Sequence, residues 1–322
     1  MSTFPSPVIA GVIFAMVATL GWALNFIAPY VTGAYSIYDL MSVRFLMAGG
    51  LGVAGVILCR AQLRALSLGQ CLLAAVLGAW GCLGYGVCIA AGVIVGGPVL
   101  TPAFVGMVPV LLALLGNSSH KTLRWRQLVR PLCCITVGLL LTNISSVHQP
   151  SPSPQSWLAG LFFSLVAVAL WVGFSVINQK QMAHLPANVT GLWTALMLTG
   201  AGVAALLILP WTYATGLLRL PTLGAGWSQA WALYAWSLVI AVMSTVVGAW
   251  AWNAATRRLP MVLSGQLIAL ESLFATLLGL WFHQRWPTPM ETAGLAAVLV
   301  GVMMSVRIIL ADATFPGRAT GR

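Results

Sequence analysis

A single carboxyl group stands deep inside an apolar stretch of this sequence and could carry chemistry there. It belongs to Glu271, near the centre of PMVLSGQLIALESLFATLLGLWF, residues 260–282. A helix that begins at Pro260 would carry this residue roughly 17 Å into a hydrocarbon layer about 30 Å thick. An ionisable group at that depth costs about 2.5–3.5 kcal/mol and is kept where a cavity or partner compensates it. Glu271 could therefore bind a substrate ammonium group or take up and release a proton; a structural carboxyl between two helices is the alternative.

Arg44 is a second charged residue inside an apolar stretch. By helical rise it lies about 12 Å from the outer end of its segment, at a depth not far from that of Glu271. It could bind a substrate carboxylate, pair with Glu271, or pair with Asp39, five residues earlier. We expect Arg44 to form a structural ion pair or to snorkel towards the membrane surface.

Uncharged polar and aromatic side chains extend the candidate site. Asn25 and Gln266 could hydrogen-bond a substrate, although interhelical hydrogen bonds are an equally reasonable use. Tryptophan walls suit an apolar or aromatic substrate, and a cation can rest on an indole face. Most of the 14 Trp residues must nevertheless serve packing and interface anchoring. The predicted substrate-binding set is Glu271, Asn25, Trp22, Trp171, Gln266 and Trp252, with Glu271 also predicted to couple transport to protons.

The composition identifies the class of protein that must position these groups. Of 322 residues, 60% are hydrophobic and 6% are charged, which is typical of a polytopic membrane protein rather than a soluble domain. The net charge of +11 comes from basic residues in short loops, as membrane orientation requires, so nucleic acid is not an expected partner. The four His and six Cys residues show no metal-ligand spacing, and no cofactor or metal is expected.

Ten apolar segments predict an all-α fold with ten transmembrane helices. The first is long enough to span and lacks the basic start of a cleavable signal. In chain order, segments 1 to 10 are residues 8–30, 36–58, 69–94, 98–116, 128–144, 157–179, 189–211, 230–253, 260–282 and 292–310.

The basic residues between the segments predict the orientation. Lys and Arg are retained on the cytoplasmic side of a membrane. With the N-terminus inside, twelve of them fall on that side, whereas Arg219 and Arg285 fall on the other. We therefore expect a multi-pass inner-membrane protein with both termini in the cytoplasm.

The Ser/Pro-rich loop HQPSPSPQS, residues 148–156, divides the segments five and five. Five is odd, so the second set enters the membrane in the opposite direction, as in the inverted repeats of secondary transporters. Matching residues follow the same order in both halves: Trp22 corresponds to Trp171, and Pro98 and Pro109 correspond to Pro260 and Glu271. The predicted units are residues 8–144 and 157–310, followed by a cytoplasmic tail, 311–322.

This pattern resembles the EamA family of the drug/metabolite transporter superfamily. The resemblance lies in the five-plus-five count, the basic turns, and the stretches PVLTPAFVGMVPVLLALLG and PMVLSGQLIALESLFATLLG. It implies alternating access around a cavity lined mainly by segments 1, 3, 4, 6, 8 and 9, with outward carriage of an amino acid or related metabolite. The chain departs from the family pattern at Glu271, where a Pro is usual. It also lacks a Gly-Glu pair at the ends of segments 4 and 9, near His120 and His283.

The sequence therefore predicts a secondary transporter that exports a small organic metabolite, with proton coupling as one version and a facilitator as another. No GxxxxGK[ST] loop is present, so ATP use is not indicated. The alternatives are a membrane-embedded enzyme for a lipid-linked substrate, which needs converging His, Asp or Cys groups, and a non-transporting sensor. We expect no enzyme activity; the oligomeric state is open.

Overall fold

The computed structural model describes residues 7–96, 100–120, 124–144 and 154–314, and within these ranges every regular element is helical. Pro98, Lys121, His148, Arg318 and Arg322, which enter the repeat and charge predictions, lie outside the described residues. The all-α membrane fold is confirmed for the described part of the chain.

Eight helices in the described ranges are long and apolar enough to cross a membrane, and they correspond to segments 1 to 3 and 6 to 10. Segment 4 instead consists of two shorter helices, and segment 5 is one helix with Pro131 inside it. The full set of ten spans therefore stays a prediction. The eight long helices are Pro7–Phe26, Ile37–Leu58, Leu68–Gly96, Gln155–His184, Ala187–Ala214, Trp227–Thr256, Met261–Phe282 and Pro289–Ala311. Segment 5 is Trp125–Ile144.

Two segments are interrupted near their centres. Segment 4 is divided into Leu100–Val105 and Val108–His120, and segment 9 into Met261–Leu267 and Ala269–Phe282. Segments 3 and 8 are continuous, but each contains a π-helical stretch, at Ala79–Gly84 and Ala241–Val247. Such irregular turns occur often at functional sites, because they leave backbone groups free of the regular ladder.

Capping side chains fix where two of the long helices begin. Ser36 accepts a hydrogen bond from the backbone N–H of Asp39, and the Asp39 carboxylate accepts one from the backbone of Ser36. Ser67 and Gln70 form the same reciprocal pair at the start of segment 3. Each capping box satisfies backbone N–H groups that the first turn of a helix leaves unpaired.

The packing of the segments follows one exchange rule. Segments 2 and 7, 4 and 9, and 5 and 10 pack against each other, so each of these pairs maps onto itself when the two halves are exchanged. The remaining major contacts come in exchanged pairs: 3 with 6 matches 8 with 1, and 3 with 7 matches 8 with 2. Each segment therefore packs against the counterparts of the segments that its own counterpart contacts.

Segments 2 and 7 touch backbone to backbone at a pair of glycines. A Cβ placed on Gly49 would lie 2.6 Å from the Cα of Gly202, and one on Gly202 would lie 2.5 Å from the Cα of Gly49. Membrane helices gain van der Waals contact by such close approach, which larger residues would prevent.

The loops meet at two ends of the helix bundle. The basic end contains the turns around residues 59–66, 185–189 and 257–260. There the Gln179 side-chain amide donates to the Leu259 carbonyl at 2.7 Å, and the Arg257 guanidinium donates to the Leu185 carbonyl at 2.7 Å. Leu259 is buried and packs where Gly11 leaves room for it. These contacts join segments 1 and 6 and the loop between segments 6 and 7 to the turn between segments 8 and 9.

The opposite end is held by Asp39. Its carboxylate accepts hydrogen bonds from the backbone N–H groups of Arg219 and Leu220, both at 3.0 Å. Nearby, the Tyr35 hydroxyl donates to the carbonyl of Gly224 at 2.8 Å. The turn between segments 1 and 2 is therefore tied to the loop between segments 7 and 8.

Candidate functional site

Four aromatic side chains from four different segments meet inside the bundle, and we call them the aromatic cage: Trp22, Tyr85, Trp171 and Trp252. The ring centroid of Trp22 lies 5.2 Å from that of Trp171 and 5.2 Å from that of Trp252. Tyr85 lies 4.7 Å from Trp171. These spacings lie in the favourable range for aromatic pairs. The structure thus brings together the three predicted tryptophans.

Small residues on neighbouring helices make room for the cage. A Cβ on Gly248 would lie 2.8 Å from the indole nitrogen of Trp22. Trp171 also contacts Phe174, with 5.2 Å between the ring centroids. A Cβ on Gly81 would lie 2.4 Å from the Phe174 ring. The glycines of segments 3 and 8 therefore position the indole and phenyl rings of segments 1 and 6.

Glu271 lies beside the aromatic cage. It is close enough to Tyr85 for electrostatic interaction, and its helix, Ala269–Phe282, packs against segment 1, which carries Trp22. The residue is partly accessible, whereas Leu270 and Leu273 on either side of it are buried. In the described ranges, no side chain hydrogen-bonds to its carboxylate and no cation pairs with it. An interior carboxyl group without a resident partner is available to a ligand.

The break in segment 9 sets the position of this carboxyl group. The backbone N–H of Glu271 donates to the carbonyl of Ile268 at 2.9 Å, across the point where one helix ends and the next begins. Glu271 consequently lies in the first turn of Ala269–Phe282. The positive end of the helix dipole is there, which favours a negative charge.

The cage also offers unused hydrogen-bond donors. The indole N–H groups of Trp171 and Trp252 are buried without a partner, in residues that are 6% and 2% exposed. The hydroxyl of Ser175, one turn after Trp171, is buried and unpartnered as well. Buried polar groups in proteins are almost always paired, so these donors are left without the partner that such groups usually have.

Arg44 does not form the structural ion pair that the sequence predicts. Its guanidinium donates instead to the side-chain oxygen of Asn25, which also accepts from the Ser244 hydroxyl at 3.2 Å. No carboxylate of the described residues lies within ion-pair distance of Arg44. The physical reason is that Asp39 is already engaged by its own helix start and by the 217–220 loop, while Glu271 lies beside Tyr85.

Gln266 lies apart from the cage. Its side-chain oxygen accepts a hydrogen bond from Ser305 of segment 10, and its amide nitrogen donates to the carbonyl of Val262. It is 1% exposed, and both ends of its amide are occupied. We therefore leave it out of the candidate site.

Sequence reasoning missed Tyr85 and a polar network in the second half. The Asn178 amide donates to the Asn253 oxygen at 2.7 Å, Trp193 donates to the Asn178 oxygen at 2.9 Å, and Asn253 donates to Thr194 at 2.9 Å. This network joins segments 6, 7 and 8 and is internally satisfied. Tyr85 could have been found from GYGVC, since it is a tyrosine between two glycines inside an apolar segment.

The other charged contacts of the described chain lie outside the cage. Arg285 and Glu291 form a salt bridge of 2.7 Å in the turn between segments 9 and 10. The hydrogen bond to Glu291 raises the pKa of Arg285. Among the described residues, no group of three or more His, Cys, Asp or Glu side chains could hold a metal ion.

Comparison with known proteins gives matches of three kinds: a family, a curated protein and solved structures. Residues 158–307 match the EamA-like transporter family. The chain is 28% identical over 313 residues to "Inner membrane protein YtfF" of Escherichia coli (strain K12), covering 93% of this chain and 95% of that protein. A solved structure, described only as a crystal structure of protein, superposes with a TM-score of 0.71 at 18% identity, over 97% of this chain and 99% of its own. That structure supports the fold alone. With the apolar helices, these matches support a multi-pass membrane protein in which residues 158–307 are similar to the EamA-like transporter family.

Proposed function

We propose that this protein is a secondary transporter that moves a small organic compound with a protonated amine group, and that Glu271 binds the amine. One observation carries the proposal: aromatic rings from segments 1, 3, 6 and 8 converge beside an unpaired carboxyl group from segment 9. Indole and phenol faces attract cations, and a desolvated carboxylate supplies the opposite charge. The EamA-like match supports the transporter class, and the likeness to YtfF supports an inner-membrane location.

The proposed mechanism is alternating access by a five-plus-five inverted repeat, with both termini in the cytoplasm. The exchange symmetry of the segment contacts supports the repeat. So do the breaks in segments 4 and 9 and the π-helical stretches in segments 3 and 8, since each irregularity occurs in both halves. Transporters of this kind place the substrate at discontinuous helices between the repeats. On this topology the basic end is cytoplasmic, and the Gln179 and Arg257 contacts close the path on that side.

Outward transport would be driven by exchange with protons at Glu271. One carboxyl group can hold a proton or pair with an ammonium group, but it cannot do both at once. A state that opens to the cytoplasm would load the amine, and a state that opens to the outside would exchange it for a proton. The inward proton gradient would then drive export. The absence of a resident cation beside Glu271 in the described ranges leaves the carboxyl group free for this competition.

Reconstitution into proteoliposomes tests this mechanism. A pH-sensitive dye inside the vesicles reports proton movement when phenethylamine, tyramine, phenylalanine or leucine is added. Loss of a charge-assisted hydrogen bond costs about 1.5–3 kcal/mol, so Glu271→Gln should slow amine-dependent proton flux roughly 10- to 150-fold. The matched control is Glu291→Gln, which changes another glutamate but leaves the cage intact. Unchanged rates and pH dependence in Glu271→Gln would show that the mechanism is wrong.

A further inference from the structure

The guanidinium of Arg44 is buried, and most of its N–H donors have no hydrogen-bond partner among the described residues. The residue is 7% exposed, yet in the described part of the chain its one hydrogen bond is the one to Asn25. A guanidinium has five N–H donors, and the Nε of Arg44 is buried without any partner. This side chain has therefore lost its hydration without gaining a full set of protein contacts.

The groups that surround Arg44 carry no negative charge. Asn25 reaches it from segment 1, Ser244 approaches through Asn25 from segment 8, and Cys82 lies within electrostatic range on segment 3. The nearest ring, that of Phe45, lies 4.5 Å from the guanidinium carbon and contributes a weak cation–π contact. A charge at this depth is expensive unless an anion pairs with it, and no described residue provides one.

The Arg44 cluster adjoins the aromatic cage. Asn25 follows Trp22 by three residues, so the two lie about 5 Å apart along the axis of segment 1. On segment 8, Ser244 lies in the π-helical stretch, and Gly248, which packs on Trp22, follows four residues later. The same two helices thus support both groups, and Asn25 is partly accessible.

We propose that Arg44, with Asn25 and Ser244, is an anion subsite of the transport pathway that binds the carboxylate of the substrate. Guanidinium groups bind carboxylates through two parallel N–H···O bonds, and Arg44 has the free donors to do so. The unpartnered indole N–H groups of Trp171 and Trp252 add donors on the cage side. The substrate would then carry a carboxylate near Arg44 and an amine near Glu271. The amine half of this inference rests on the proposed function.

Three matched probes separate the two charges of the substrate. Phenylalanine carries both groups, phenethylamine lacks the carboxylate, and 3-phenylpropionate lacks the amine. Binding is measured by thermal shift and isothermal titration on the purified full-length protein in a sulfonate buffer without added carboxylate or chloride. Wild-type protein should bind phenylalanine most tightly. Arg44→Gln should weaken phenylalanine binding roughly 10- to 150-fold and leave phenethylamine unchanged. Glu271→Gln should also weaken phenylalanine binding, but it should leave the binding of 3-phenylpropionate unchanged.

A second variant guards against misfolding of Arg44→Gln. Asn25→Asp places a carboxylate next to Arg44, so the guanidinium gains a resident partner and the fold should be retained. Asn25→Asp should nevertheless weaken phenylalanine binding as Arg44→Gln does, because the new carboxylate occupies the Arg44 donors that would bind the substrate. Normal phenylalanine affinity in folded Asn25→Asp would overturn the proposal.

The remaining outcomes distinguish this proposal from the proposed function. If phenethylamine binds as well as phenylalanine and depends on Glu271, the anion subsite is wrong and the amine transporter stands. If 3-phenylpropionate binds as well as phenylalanine and depends on Arg44, the anion subsite stands and the amine proposal is wrong. If no probe binds, both are wrong. If added sodium chloride displaces phenylalanine only when Arg44 is present, an inorganic anion is the ligand, and the carboxylate assignment is overturned.

Discussion

Segments 4 and 9 have the same backbone plan but different chemistry at the same place. Segment 4 breaks at Gly106 and Met107, and Pro109 follows three residues after Gly106. Segment 9 breaks at Ile268, and Glu271 follows three residues after it. In segment 4 the proline lacks an N–H group, so it suits the first turn of the new helix. In segment 9 the N–H of Glu271 is present and donates across the break to Ile268.

The difference shows that the break itself does not require the proline. In segment 9, Glu271 stands at the position after the helix break that Pro109 has in segment 4. Its carboxyl group lies beside the aromatic cage. The two halves therefore agree in packing and in helix irregularities, and they differ in the group that we propose binds the substrate. A symmetric scaffold with one asymmetric carboxyl group is the arrangement that the proposed function needs, because a single ion then decides which ligand is held.

The sharpest test of the comparison is Glu271→Pro, which makes segment 9 resemble segment 4. The proline falls in the first turn of Ala269–Phe282, where a helix tolerates it, so the protein should fold. The carboxyl group is lost, so amine-dependent flux in proteoliposomes should fall roughly 10- to 150-fold, as in Glu271→Gln.

Size-exclusion chromatography in detergent and a thermal unfolding midpoint check the fold of Glu271→Pro. The matched control is Pro109→Ala in segment 4, which removes a proline but no charged group and should transport normally. Flux at the wild-type level in Glu271→Pro would show that the asymmetry between the segments has no functional meaning.

Much of the scaffold could be predicted from the sequence, because the membrane imposes it. Apolar length predicts helices, and the eight long ones lie where the ten expected segments place them. The depth of Glu271 in the membrane rests on counting residues along a helix and stays a prediction. The position of Trp22 and Trp171 in corresponding places of the two halves also indicated that they belong together, and the structure places them 5.2 Å apart.

The partners of individual polar groups could not be predicted, since they depend on helix rotation and on loops. Arg44 was expected to form an ion pair, with Asp39 or Glu271 as its partner, or to snorkel. Asp39 instead caps its own helix and binds the backbone of the loop at Arg219. Gln266 was grouped with Glu271 on the same segment, although the break at Ile268 and the contact with Ser305 separate them. Hydropathy gives no information about which side of a buried helix meets which neighbour.

The glycines at the contact of segments 4 and 9 test how closely these two segments pack. A Cβ on Gly265 would lie 2.6 Å from the Cβ of Leu112, and one on Gly116 would lie 2.9 Å from the Cβ of Met261. Gly265→Leu and Gly116→Leu should therefore each destabilise the protein by about 1–3 kcal/mol through overpacking.

Chemical unfolding in detergent measures both effects, with Gly279→Leu as the control, because no atom lies within 4 Å of a Cβ at that position. A loss of stability at both positions would confirm that segments 4 and 9 pack closely at both glycines. Stability at the wild-type level in either variant would contradict close packing at that position.

The smallest effect is expected in the polar network of the second half. Asn253 joins Asn178 and Thr194 there. Interhelical hydrogen bonds in membranes contribute about 0.6 kcal/mol on average and up to about 1.7 kcal/mol, so Asn253→Ala should lower the free energy of unfolding by that amount. Transport should be unchanged, because the network connects segments 6, 7 and 8 through hydrogen bonds that do not include Glu271. A loss of flux without a loss of stability would mean that Asn253 belongs to the substrate site, and the asymmetry between the halves would then extend beyond one carboxyl group.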